Sequence, residues 1–296
     1  MTSTDFDGWA ARETAAVEAA LERWMPADAP AGIGEVMRYG VLDGGKRLRP
    51  LLVLASCQAA AGDREPALRA AVAVELIHAY SLVHDDMPCM DNDVLRRGKP
   101  TVHVKYGQAQ AMLAGDAMQA LAFEVLTPEA GPPPALQARL VGLLARAAGH
   151  AGMAGGQAID LASIGRVLDE HALRDMHRRK TGALLQASVQ MGAACGRLDA
   201  GAWAALHDYG AALGLAFQVV DDILDVTQAS ATLGKTAGKD QQHDKPTNVS
   251  LLGLDAARRH AQSLRAQAHE ALARSRLGAA AALLAVLADK VVDRDN

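Results

Sequence analysis

Residues 64–86 read REPALRAAVAVELIHAYSLVHDD, and residues 87–98 continue MPCMDNDVLRRG. The first part recurs in apolar residues at helical spacing, with Pro66 near its start, where a helix tolerates proline. This long apolar helix then ends in carboxylates. Asp85, Asp86, Asp91 and Asp93 fall within nine residues, and Arg96 and Arg97 follow at once. Like charges at such spacing repel. The cluster is therefore either a solvated helix end or a ligand set waiting for something cationic.

The rest of the chain decides the fold class. It has 296 residues, 50% of them apolar but only 3% aromatic, and it is rich in alanine and leucine. Helical periodicity recurs in residues 173–196 and 200–226, while hairpin signals are nearly absent: no Asn-Gly occurs, and Asp43-Gly44 is not flanked by alternating strands. The breaks at Gly131–Pro134 and Ser230–Thr247 are too short to link domains. The expectation is all-α: one domain spanning residues 1–296, a single large bundle of about ten helices. A net charge of −4 offers no general attraction to nucleic acid. No stretch reaches the apolar length of a bilayer span, no signal peptide opens the chain, and three scattered cysteines suit a reduced compartment. A cytoplasmic protein with no membrane insertion and no nucleic-acid partner is expected.

A second acidic cluster, DDILD, holds Asp221, Asp222 and Asp225. Asp221 and Asp225 are four residues apart, on one side of a helix. Apolar residues precede and interleave with them, and carboxylates in such surroundings need a partner or a cation. In the first cluster Pro88 marks a break, and two extra residues separate Asp86 from Asp91, so a bulge should bring Asp91 back toward Asp85. A few carboxylates with no soft ligands suit Mg²⁺, which takes its remaining ligands from water and phosphate. The basic residues agree. GGKRLRP places Lys46, Arg47 and Arg49 after two glycines at the start of an apolar helix. Arg96 and Arg97, Lys180 in RRKTGALLQ and Lys235 in TLGKTAGKD add further cations. Any one is an ordinary surface charge, but together with glycine turns and acidic clusters they read as a diphosphate cradle. GKT at Gly234–Thr236 is not a P-loop, since the leading glycine would fall at Ala229 and no strand precedes it.

Six segments in this order, GGKRLRP, LIHAYSLVHDDMPCMDNDVLRRGKPTVH, KTGALL, GLAFQVVDDILD, LGKTAGKD and SLLG, carry a resemblance running nearly end to end. The chain resembles the trans-isoprenyl diphosphate synthases, and within them the bacterial farnesyl diphosphate synthases. That resemblance implies a helical bundle around a deep central cavity, usually a homodimer, with two aspartate motifs facing each other across the mouth. Asp85, Asp86, Asp91, Asp221, Asp222 and Asp225 would hold about three Mg²⁺ ions on the diphosphate of dimethylallyl or geranyl diphosphate. Arg96, Lys180 and Lys235 would grip the same diphosphate. Lys46, Arg49, His78 and Arg97 would form a separate site for isopentenyl diphosphate, with Thr181 and Gln218 beside the reacting carbons.

The implied chemistry is head-to-tail prenyl transfer. Cleavage of the allylic carbon–oxygen bond builds negative charge on diphosphate, which cations stabilise. Polar oxygens can steady the allylic cation without capturing it, and a closing loop, for which Ser230–Thr247 is the candidate, excludes water. In such a family a bulky residue shortly before the first aspartate floors the cavity. Tyr80, with Ser81 beside it, would stop the product near fifteen carbons; the other reading is an ordinary core aromatic. His84 and Cys89 read as structural. Two departures from the family pattern are Asn248, where an aromatic is usual, and a tail without a strongly basic finish. A geranylgeranyl or geranyl product is the alternative within the family. A non-catalytic partner subunit would be expected to lose aspartates, a phosphohydrolase has no use for the second aspartate helix, and a terpene cyclase needs no second diphosphate site.

Overall fold

A computed structural model of the chain describes residues 3–42, 44–166, 168–227 and 247–294. Helices α1 (Ser3–Trp24), α2 (Ile33–Val41), α3 (Leu48–Ala59) and α4 (Arg64–Asp85) come first. After a short hairpin follow α5 (Val102–Tyr106), α6 (Gln108–Leu126), α7 (Pro134–Ala148), α8 (Met153–Ala162) and α9 (Glu170–His177). A π-turn at Arg178–Gly182 leads into α10 (Ala183–Ala194) and α11 (Ala200–Thr227). The last helices are α12 (Asn248–Leu252), α13 (Leu254–Ser275) and α14 (Ala282–Val292). Some helices start where the sequence supplies caps. Asp63 accepts from the Glu65 amide at α4 and Asp169 from the Ala172 amide at α9, and α7 begins on a proline.

The architecture is all-α, as expected. Fourteen α-helices among the described residues exceed the ten anticipated, and two of them, α5 and α12, are single short turns. The hairpin β1 (Leu95–Arg96) and β2 (Lys99–Pro100) was not foreseen. Its turn is Arg97-Gly98, both at positive φ (53° and 74°), and arginine is not a residue that announces such a turn.

α4 forms the axis, packed against α3 and α6, while α10 bridges α3 and α11, and α11 lies along α13. Twelve residues of α4 are buried, on every side of the helix, the pattern of a core helix rather than an amphipathic one. This corrects the expectation about membrane spans: α4 is long and apolar enough by composition, with a mean hydropathy of 1.3 over its most apolar 18 residues. Yet 67% of that window is buried inside the protein. The polar end of α4 opens where the two aspartate segments meet.

Candidate active site

The chain after α4 turns back on itself. The Asp91 amide donates to the Asp85 carbonyl (2.9 Å), the Asp93 amide donates to the Asp86 carbonyl (3.1 Å), and Asn92 adopts positive φ. This is the anticipated return of Asp91 toward Asp85. Both line a chamber of about 540 Å³, along with Asp221 and Asp225 from α11. Asp221 and Asp225 share a face because they are one helical turn apart.

Asp86 and Asp222 line no part of this chamber. Asp86 is 2% exposed and grips the Arg96 guanidinium, accepting from Nε at 2.9 Å and Nη2 at 2.6 Å. Asp222, also 2% exposed, accepts from Gln218 Nε2 (2.8 Å) and from both the amide and Nδ2 of Asn248 (2.7 Å each). Four of the six expected ligands therefore face the cavity, and the other two orient neighbours. Among the described residues no three metal-binding side chains converge on a single point. Such an arrangement suits an ion that completes its shell with other oxygens.

Lys180 and Thr181 enter the chamber from the π-turn. The turn is pinched between two glycines. A Cβ on Gly156 of α8 would lie 2.2 Å from the Lys180 amide nitrogen, and one on Gly214 of α11 would lie 2.6 Å from Gly182 Cα. Lys180 Nζ donates to Asp160 at 2.5 Å, and Thr181 Oγ1 donates to Gln218 Oε1 at 2.8 Å. A polar chain thus runs from Thr181 through Gln218 and Asp222 to Asn248, whose Nδ2 also lies 3.3 Å from His177 Nδ1. The departure at Asn248 has a job: a short amide fits against Asp222 and ties α12 to α11. Asp160, which is 4% exposed, and Gln157, whose amide atoms are buried and unpartnered beside the chamber, escaped the sequence reading. Their only signal was a polar pair three residues apart in the apolar segment GGQAID.

The electrostatics are one-sided. Burial pushes the Asp85 carboxyl up to about 6, with the Asp91 charge adding to it and Lys180 opposing. Burial likewise pushes Asp222 up to about 7 despite its three donors. Asp225 Oδ2 is buried without a partner. Carboxylates held this way are short of positive charge.

The opposite holds next door. Lys46, Arg49, His78 and Arg97 all line a second chamber of about 1130 Å³, where the anticipated second diphosphate site would lie. Arg97 Nη1 donates to the Gly44 carbonyl (2.7 Å), and its guanidinium lies so close to Gly45 that a Cβ there would meet Nη2 at 2.7 Å. Arg47, buried at positive φ, anchors this turn through Glu18 (2.5 Å), Glu75 (2.6 Å) and the Val41 carbonyl (2.6 Å). Burial lowers Arg49 to about 10, and burial followed by Arg49 and Arg97 lowers His78 well below the usual histidine range. Lys46 and Arg97 are lowered too, first by burial and then by Arg294 and Arg47 respectively. Burial and the neighbouring cations outweigh the nearby Glu75 and Asp221 charges, so an anion bound among these groups would be favoured. Four side chains, Arg49, His78, Phe217 and Asp221, border both chambers.

Arg294, from the tail without a basic finish, was not foreseen. It stacks on Phe217 at 4.1 Å and donates to Asp221 at 3.1 Å and to the Phe217 carbonyl at 3.0 Å. Arg96, Tyr80 and Ser81 line the acidic chamber. Lys235 and residues 230–246 of the anticipated closing loop lie outside the described residues.

Comparison with known proteins identifies the family. Residues 30–283 match the polyprenyl synthetase family. The chain is 46% identical over 299 residues to a chloroplastic geranylgeranyl pyrophosphate synthase of Catharanthus roseus, covering 100% of this chain and 83% of that one. It is 48% identical over 268 residues to the farnesyl diphosphate synthase of Escherichia coli strain K12, covering 88% and 89%. A geranyltransferase of Helicobacter pylori, solved with magnesium and isoprenyl diphosphate, superposes with a TM-score of 0.85 at 34% identity, covering 99% of this chain and 98% of that one. With a carboxylate-walled chamber, an adjoining cationic one and this breadth of likeness, the chain belongs to the polyprenyl synthetase family of prenyltransferases.

Proposed function

We propose that the protein condenses isopentenyl diphosphate with dimethylallyl or geranyl diphosphate, head to tail, to farnesyl diphosphate. The observation that carries this reading is a chamber that gathers Asp85, Asp91, Asp221 and Asp225 and shares one wall with a second chamber that gathers Lys46, Arg49 and Arg97. The donor set of Asp85, Asp91, Asp221 and Asp225 is all hard oxygen, and Asp225 Oδ2 is orphaned. Both features fit Mg²⁺, the ion named with the H. pylori relative. Bound there, Mg²⁺ supplies the Lewis acidity that takes up charge on the departing allylic diphosphate.

The protein's own groups do the rest. Arg96, aligned by Asp86, and Lys180, aligned by Asp160, grip the allylic diphosphate. Thr181 and Gln218, already bonded to each other, present fixed oxygen dipoles to the allylic cation. Lys46, Arg49, His78 and Arg97 hold isopentenyl diphosphate across the wall, its double bond attacks the allylic cation, and the resulting cation loses a proton from the adjacent carbon to the released diphosphate. Tyr80 blocks the growing chain.

Product analysis tests this reading. Purified protein with Mg²⁺ and both substrates should yield a fifteen-carbon diphosphate, and Tyr80→Ala should yield longer chains. No condensation at all would refute the proposal. A twenty-carbon product from the wild type would support the second reading, geranylgeranyl synthesis, which the name of the Catharanthus relative favours. Homodimer formation belongs to the same proposal. Val104 (49% exposed), Met112 (41%) and Leu113 (53%) place exposed apolar side chains on α5 and α6. Leu113→Asp should halve the mass in sedimentation.

A further inference from the structure

The side chains around Tyr80 form a unit that neither the motif nor the comparisons assign. Gln119 Nε2, from the exposed face of α6, donates to the Tyr80 hydroxyl at 3.2 Å. His84, one turn further along α4, meets the Tyr80 ring edge-on at 5.7 Å between centroids, with 76° between planes. Its Nε2 donates in turn to the Met112 carbonyl of α6 at 3.0 Å. α6 comes this near because of Gly115: a Cβ there would sit 2.0 Å from His84 Nε2. The ring is therefore held at its tip by one residue of α6 and along its edge by another side chain that α6 also holds. An aromatic wall blocks a growing chain only while it stays in one rotamer. A tyrosine at a cavity wall can swing unless its hydroxyl or its edge is tied.

We infer that Gln119 is a positioning residue for product length, keeping the Tyr80 ring across the end of the acidic chamber. The inference rests on the proposed role of Tyr80 as the floor. Gln119 makes no contact with the chamber and is exposed within one chain, on the α6 face that also carries Met112; a wild-type mass for Gln119→Ala in sedimentation therefore separates the lost bond from a lost contact between chains.

The test is a product-length cycle with Gln119→Ala, Tyr80→Phe, their double variant and Tyr80→Ala, each read as the ratio of twenty- to fifteen-carbon diphosphate. Losing one neutral hydrogen bond should raise that ratio roughly fivefold in Gln119→Ala. Tyr80→Phe, which keeps the ring and removes the acceptor, should give the same rise. The double variant should add nothing further, because both changes break one bond. A wild-type ratio in Gln119→Ala alongside longer chains from Tyr80→Ala would overturn the inference and leave Tyr80 as the floor. Additive shifts in the double variant would also overturn it, since Gln119 would then act without the hydroxyl. If Tyr80→Ala makes no longer chains, the floor reading falls and this inference falls with it.

Discussion

Gly156→Ala is the most informative single change outside the acidic residues. The added Cβ would sit 2.2 Å from the Lys180 amide nitrogen, 2.5 Å from Lys180 Cα and 2.8 Å from the Arg179 carbonyl carbon. Ordinary van der Waals contact begins at 3.4 Å, so α8 and the π-turn must separate by about 1.2 Å, the difference between 3.4 and 2.2 Å. The atoms met are backbone, so no rotamer change relieves the clash. On its far side the turn is backed by Gly214, where the helices already touch, and the displacement has nowhere to go except through Lys180 and Thr181. A misplacement of this size at a reacting site costs about 10²-fold in rate, and overpacking costs about 1–3 kcal/mol in stability. Steady-state condensation kinetics with both substrates, alongside thermal unfolding, should therefore show kcat/KM down about 10²-fold in a folded protein with a lowered Tm. Kinetics within roughly twofold of wild type at an unchanged Tm would refute the claim that the glycine contact positions the π-turn.

Gly8→Ala is the counterpart. Its Cβ would meet only the flexible Arg12 guanidinium at 3.7 Å, at an exposed position of α1. It should raise stability by about 0.5–1 kcal/mol in urea titration without touching the kinetics; a destabilised variant would contradict this. Asp160→Asn leaves the Lys180 ammonium with a neutral partner. The lost charge-assisted bond, about 2 kcal/mol, should lower kcat/KM roughly thirtyfold, and an unchanged value would show that Lys180 needs no anchor. Burial lowers the His177 ring to about 4 from 6.5. The folded ring stays neutral while the unfolded one takes up a proton. That stability is fully present above pH 6.5 and is lost as pH falls toward 4, by up to about 3 kcal/mol. Urea midpoints at pH 7 and 4.5 should converge in His177→Asn relative to wild type, and an equal acid loss in both would count against the assignment.

Much of the site was legible because its chemistry is local in sequence. Asp221 and Asp225 share a face by helical phase, and the glycine turn before Lys46 needs no tertiary knowledge to be read as an anion site. The same rule of phase could have set Asp222 apart, since adjacent residues on a helix point about 100° from each other. What it could not supply was the reason: Asn248 and Gln218 converge on Asp222 only after α12 docks beside α11. Asp86 is similar, because its partner Arg96 reaches it through a hairpin whose turn residue gave no signal. The π-turn has no sequence signature of its own. It arises where Gly156 and Gly214 let two helices close on Arg178–Gly182, a contact between segments distant in the chain. Arg294 carries no signal in the sequence because it is a single cation in an acidic tail, and only the fold gives it both an aromatic face and a carboxylate.

The wall shared by the two chambers has a consequence for how ligands fill them. Arg49, His78, Phe217 and Asp221 each face both ways, so any rearrangement that one occupant imposes is felt by the other. Binding free energies obey reciprocity: if the ligand of the acidic chamber alters affinity for the ligand of the basic one, the reverse coupling has the same magnitude. Under the proposed function the two diphosphates would be each other's effectors, and an affinity measured for either alone would belong to a different state of the protein from the one that reacts.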